Sequence, residues 1–125
     1  MIAIPALQLA PKVVEVGNCS GRDVAKFERF GLTPVPAELV TPPLVAECFA
    51  NLECEVADTH LVNKYNLFVL EVVKAWVDPA QKSPKTIHHR GYGKFAVDGK
   101  VKVAHAQMAL YDDGVGSRIP VAGIP

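Results

Sequence analysis

The sequence predicts a mainly antiparallel β domain with one or two short helices. Three patterns carry that expectation. Residues 44–56 alternate with period two: Leu44, Ala46, Cys48, Ala50, Leu52, Cys54 and Val56 are apolar, and Glu47, Asn51, Glu53 and Glu55 fall between them. That is the signature of a half-buried strand, and its length invites a bulge near Asn51. Residues 67–77 are apolar on both faces apart from Glu71 and Lys74, and rich in Val, which predicts a central strand covered on both sides. Finally, Asp98-Gly99 joins two short extended arms, 94–97 and 100–103, as a type I′ hairpin turn would.

The remaining elements follow in order. Ile2 and Ile4 ahead of Pro5 read as the end of a strand, so the chain starts in mid-element, as if something ordinarily precedes it. Pro11 to Val16, closed by Gly17, reads as a short helix with Pro in its first turn. Ser20 with Asp23 three residues on predicts a capped helix running to Gly31. Val24, Phe27 and Phe30 share one face of it, an amphipathic helix of about three turns. The long strand then ends near Asp58, residues 63–66 read as a hairpin turn, and an extended piece follows at 86–88. Residues 104–125, with Asp112-Asp113-Gly114 and late prolines, read as an irregular, divergent tail after a domain spanning 1–103. A barrel is how such a Val-rich sheet covers both its faces and its edges.

Composition excludes several classes of function. With 13 basic and 13 acidic residues in 125 and no basic stripe, nucleic acid is not an expected partner. No apolar run reaches membrane-spanning length, so no membrane association is expected. Half the chain is apolar, more than a small lone domain hides, which predicts an oligomer interface. Cys19, Cys48 and Cys54 are an odd count without C-x-x-C spacing, so neither a disulfide framework nor a metal site is expected. The N-terminus has no basic segment followed by an apolar one, and the expected location is cytoplasmic.

Phosphate-binding, dinucleotide-binding, zinc-protease and serine-hydrolase motifs are all missing, and no catalytic residue is assigned. Cys48 and Cys54 fall on the apolar face as inert core residues, while Cys19, before the helix expected from Ser20, fits either a thiol activated by a helix dipole or, more simply, a small residue in a tight turn. The densest polar group is 86–94. On a strand His88 and His89 point to opposite faces and cannot easily share a metal. Arg90 suits a phosphate or carboxylate, and Gly91 and Gly93 let the backbone around Tyr92 bend or approach a ligand. A solvated strand end explains the same residues. A second group, Asn63-Lys64-Tyr65-Asn66, fits a ligand contact at a barrel mouth or an ordinary turn. A third, 18–23, fits an anion site at a helix start or ordinary capping.

In order and spacing these segments resemble the flavin reductase-like family. The matching pieces are Asn18-Cys19-Ser20-Gly21-Arg22-Asp23 leading to Gly31-Leu32-Thr33-Pro34, then Pro43-Leu44-Val45-Ala46-Glu47-Cys48. Asn66-Leu67-Phe68-Val69-Leu70-Glu71-Val72-Val73 and Thr86-Ile87-His88-His89-Arg90-Gly91-Tyr92-Gly93 follow. The resemblance covers about residues 2–99 and is similar to the C-terminal half of the usual domain, without its N-terminal strands. It implies a split β-barrel that forms a homodimer or strand-exchanged oligomer. It also implies FMN at the interface and hydride transfer from NADH or NADPH to flavin, the protein orienting and tuning the ring. In related reductases a histidine near flavin or nicotinamide precedes the strand equivalent to 67–73. Tyr65 stands there in this chain, so the resemblance assigns cofactor contact to Tyr65, Asn66, His89, Arg90 and Tyr92. The alternative is a flavin-free, shortened β domain that oligomerises or binds a partner to cover its strand edges.

Overall fold

The computed structural model describes residues 1–99 and 121–124. The elements run β1 (Ile2–Ile4), a 3-10 turn (Leu7–Leu9), α1 (Ala10–Gly17), α2 (Lys26–Phe30), β2 (Pro34–Val35) and β3 (Leu44–Val45). They continue with β4 (Ala50–Asp58), α3 (Val62–Tyr65), β5 (Val69–Val77), β6 (Ile87–His89), β7 (Phe95–Val97) and β8 (Val121–Gly123). One four-stranded sheet has the order β1-β4-β5-β8, and two hairpins, β2-β3 and β6-β7, stand apart from it. All pairings are antiparallel except β5 with β8, which run parallel beside Ala75–Val77. The fold is mostly β with short helices, as expected, and no closed barrel forms among the described residues.

The two early helices show where local chemistry overrides pattern. In α1, Pro11 sits in the first turn, where its missing N–H costs nothing, and the N–H of Asn18 closes the last turn on Val14 and Glu15. The helix expected from Ser20 begins six residues later. The Ser20 hydroxyl accepts the N–H of Arg22 at 3.2 Å, and its carbonyl accepts Asp23 and Val24, making a separate turn. Side-chain bonding to nearby backbone competes with helix at this position. Ala25, at ψ 86°, then separates that turn from α2. Cys19 is consequently not at a helix N-terminus; its thiol donates to the Val16 carbonyl at 3.7 Å.

The C-terminus of α2 follows its sequence signal. Gly31 is left-handed (φ 57°), with its own N–H on Glu28 and that of Leu32 on Phe27. A Cβ there would meet nothing nearer than the Lys12 ammonium at 3.8 Å, so the obstacle is backbone conformation alone. Gly31→Ala should therefore cost about 1 kcal/mol. It should read as a lower urea midpoint with an unchanged slope, and an unaltered midpoint would contradict the strain assigned here.

The long strand expected over 44–58 is two elements. Residues 44–45 belong to the β2-β3 hairpin, a turn closes with the N–H of Cys48 on the Val45 carbonyl, and β4 starts at Ala50. Its irregularities lie at Glu53/Cys54 and Val56/Asp58 rather than at Asn51. The buried face is also inverted. Asn51 and Glu53 are 0 % exposed, Cys54 is half-buried and Val56 is 57 % exposed. The β2-β3 hairpin is bonded to the face carrying Asn51 and Glu53, which explains the inversion. Beside these polar groups the core contains Ala6, Leu44, Cys48, Ala50, Ala75 and Trp76. Burial, with the nearby Glu47 charge, pushes the Cys48 thiol up to about 11, in keeping with an inert core residue.

The central strand β5 is covered at its C-terminal end only. Ala75 and Trp76 are buried, whereas Leu67, Phe68 and Val69 are about half exposed. Residues 63–66 are not a hairpin turn: α3 ends there, with Asn66 left-handed (φ 52°) and its N–H on the Val62 carbonyl. β7 pairs with β6, and the second arm expected at 100–103 lies outside the described residues. So does most of the tail, although Val121–Gly123 forms a strand where irregular chain was expected.

Candidate functional site

Three polar assemblies sit on this scaffold. The most buried lies where the β2-β3 hairpin crosses the main sheet. Asn51 is opposite Trp76 and Glu53 opposite Lys74, so the four side chains share one face of β4 and β5. Asn51 accepts the N–H of Val45 at 2.9 Å and donates to its carbonyl at 3.1 Å, replacing a neighbouring strand with one carboxamide. Glu53 receives the N–H groups of Glu38, Leu39 and Val40 at 3.1, 2.6 and 2.9 Å, and the indole N–H of Trp76 at 2.6 Å. Burial opposes its ionisation. The indole and backbone bonds outweigh that and hold its carboxyl below the usual value. Lys74 pairs with Glu38 and lies over the Trp76 ring, 4.3 Å from its centroid.

The second assembly is the end of the β6-β7 hairpin. Gly91 (φ 91°), Tyr92 (φ 52°) and Gly93 (φ 68°) are three successive left-handed residues, closed by the Arg90 N–H on the Lys94 carbonyl at 2.8 Å. A left-handed Tyr is unusual enough to point toward a functional loop. The turn places Arg90 and Lys94 side by side with Phe95 around an open hollow of ≈ 630 Å³. His89 packs against Phe95, ring centroids 5.3 Å apart, while His88 turns to Thr86 and Asp98. The two histidines thus face opposite ways, as strand geometry requires. Asp98 is held below its usual value by bonds from Thr86 and then His88.

The third is the approach to β5. Tyr65 is 61 % exposed with the Lys64 ammonium over its ring, and Leu61, Leu67, Phe68, Val69 and Leu70, near it in sequence, are exposed as well. Close by in sequence, Asp58 accepts both the backbone N–H and ring nitrogen of His60.

Of the residues singled out from sequence, His89 ends β6 and Arg90 and Tyr92 follow in its turn, while Tyr65 and Asn66 close α3. No hydrogen bond or ring contact among the described residues joins the two groups. The group at 18–23 forms a turn rather than a helix start. Sequence reading missed the Asn51–Glu53–Lys74–Trp76 cluster, because alternation assigned Asn51 and Glu53 to solvent. The available signal was the single Trp on a buried strand, whose N–H needs an acceptor. No cluster of three His, Cys, Asp or Glu side chains able to hold a metal occurs among the described residues. No described helix is long and apolar enough to cross a membrane.

The scaffold is thus a mixed sheet overlaid by a strapped hairpin, with a cationic glycine turn on a second hairpin, and it matches the flavin reductase-like family. The chain belongs to that family: the flavin reductase like domain model matches residues 4–96. An uncharacterised protein of Archaeoglobus fulgidus is 32% identical over 100 residues, covering 75% of this chain and 56% of its own. Escherichia coli YddH is 32% identical over 111 residues, covering 79% of this chain and 59% of its own. The chain thus spans a little over half the length of these relatives. Among solved structures, an FMN-binding domain of a flavin reductases-like enzyme from Shewanella baltica superposes with TM-score 0.70 at 26% identity, covering 82% of this chain and 61% of that one. Flavoredoxin of Desulfovibrio vulgaris superposes with TM-score 0.68 at 21% identity, over 90% and 63%, and supports the fold.

Proposed function

We propose that this domain binds FMN and serves hydride transfer from NADH or NADPH to flavin, in a cytoplasmic homodimer or strand-exchanged oligomer. The observation that carries the proposal is the Arg90–Lys94–Phe95 hollow inside a chain of this family. A flavin mononucleotide asks for a cation near its phosphate or ring carbonyls and an apolar surface beside its ring. Arg90 and Lys94 meet the first need and Phe95 with His89 the second, so the residues fit one end of the ligand. FMN, when bound, supplies the two-electron redox chemistry. The chain's own contribution is binding and orientation: Arg90 offers a planar donor set, and the left-handed turn holds it beside Lys94. Tyr65 and Asn66, at the end of α3, would complete the site from a second copy of the chain.

Titration of FMN with the purified chain tests this by flavin fluorescence. Quenching should saturate at micromolar chain, and Arg90→Gln should weaken it about tenfold, the loss of a charge-assisted bond worth ~1.5 kcal/mol. NADH and NADPH oxidation with added FMN then reads turnover separately. If FMN is neither bound nor quenched, the flavin reading fails. The second reading, a flavin-free partner-binding module, is favoured in that case by the exposed apolar residues at the start of β5.

A further inference from the structure

The loop 36–43, between β2 and β3, is held to the sheet in an unusual way. Leu39 is 53 % exposed and no residue of the loop is fully buried, so apolar contact contributes little to its attachment. Its ties are polar: three successive backbone N–H groups on Glu53, and the Glu38 carboxylate on Lys74. The base of the same hairpin is anchored differently. Leu44 is fully buried and Asn51 holds both backbone groups of Val45, so the base stays in place when the loop lifts. Pro34, Pro36, Pro42 and Pro43 stiffen both arms, limiting what the chain gains in freedom on release. A segment with few apolar contacts and a rigid hinge is one that opens locally before the whole domain unfolds.

We propose that the loop 36–43 is a latch over the β4-β5 face, closed by the Glu53 carboxylate, and that protonation of Glu53 opens it while the sheet remains folded. Among the described residues, the charged groups facing Glu53 are Lys74 from β5, directly opposite, and Glu38 from the loop itself; β1 brings Ile2, Ala3 and Ile4 beside β4. Lys74 is paired with Glu38. A carboxylate accepts all four donors, whereas a carboxylic acid turns one oxygen into a donor aimed at N–H groups. The bonds that hold the carboxyl below its usual value set the direction. Closure is complete above the ordinary carboxylate range and is lost as pH falls through the lower, folded-state value.

Trp76, the sole tryptophan, donates to Glu53 and reports the latch by its fluorescence. On acid titration of the native chain, its emission should shift to the red before the far-ultraviolet dichroism of the sheet is lost. Amide exchange at Glu38, Leu39 and Val40 should accelerate over the same pH interval. Glu53→Gln should show the shifted emission already at neutral pH, with dichroism retained. In Glu53→Ala, added formate should restore native emission by occupying the vacated donors. Glu38→Gln should keep the acid transition, because Glu38 is not the group whose protonation opens the loop. Emission and dichroism changing together in the native chain would overturn the proposal, whether or not the variants fold. So would native emission in Glu53→Gln, or loss of the transition in Glu38→Gln.

Discussion

Asn51→Leu is expected to destabilise the chain by about 2 kcal/mol, although leucine is nearly the same size and far more apolar. Asn51 is 0 % exposed and uses its carboxamide on the N–H and carbonyl of a single residue, Val45. Leucine fills the space but leaves the Val45 N–H without a partner beneath the hairpin, while the Val45 carbonyl keeps only the Cys48 N–H. A buried, unpaired N–H costs roughly 1–3 kcal/mol, and the lost carbonyl bond of ~1 kcal/mol is offset by a similar gain in apolar burial. The effect rivals cavity formation: Leu44→Ala, at the largest fully buried side chain, should cost about 3 kcal/mol by emptying the core. The two differ in where the damage lies. The Asn51 variant frees the β2-β3 hairpin and should raise amide exchange at Val45 selectively. Urea unfolding of both variants decides the matter. An Asn51→Leu midpoint equal to or above the native one would mean that the carboxamide is not replacing a strand.

That cluster marks the boundary of what the sequence could tell. Period-two alternation found β4, a Val-rich run apolar on both faces found β5, and Gly31 correctly ended α2, because strand pattern and left-handed caps are local properties. The inference failed where a distant element decided the outcome. Alternation fixes which residues share a face, but not which face is covered. Asn51 and Glu53 do alternate with Leu52 and Cys54, and it was the β2-β3 hairpin, folding back over β4, that made the polar face the buried one. Ser20 failed for a nearer reason: its side chain satisfied a turn rather than a helix. Of the candidate site, the resemblance pointed to His89, Arg90 and Tyr92, with Gly91 and Gly93 letting the backbone bend; His89 ends β6, and Arg90 and Tyr92 lie in the turn that follows. What holds Arg90 and Lys94 on the same side is the run of positive φ angles through Tyr92, a residue with no intrinsic signal for that conformation.

The other large effect should appear in assembly. Leu67, Phe68, Val69 and Leu70 are 50, 49, 48 and 37 % exposed, and Tyr65 and Leu61, just before them in the chain, are exposed too. Strand β5 pairs with β8 only at its C-terminal end, and β4 with β1 only at Ala50–Leu52, so the ends of β4 and β5 near these residues have one described neighbour each. Exposed apolar residues beside sparsely paired strands are groups that association stabilises. If the proposed oligomer forms through these residues, Phe68→Asp should convert it to a single chain without unfolding it, because the side chain is already half in water and its loss opens no cavity. Anchors of this type are worth ~2 kcal/mol or more at an interface, so the substitution should weaken association about thirtyfold or beyond. Sedimentation of both chains across concentration, with far-ultraviolet dichroism as the control, gives the answer. If the site is shared between copies, flavin affinity in Phe68→Asp should fall together with assembly, although Arg90, Lys94 and Phe95 are untouched. A native chain that sediments as a monomer at all concentrations would sink the shared site and leave FMN binding to be explained by one copy alone.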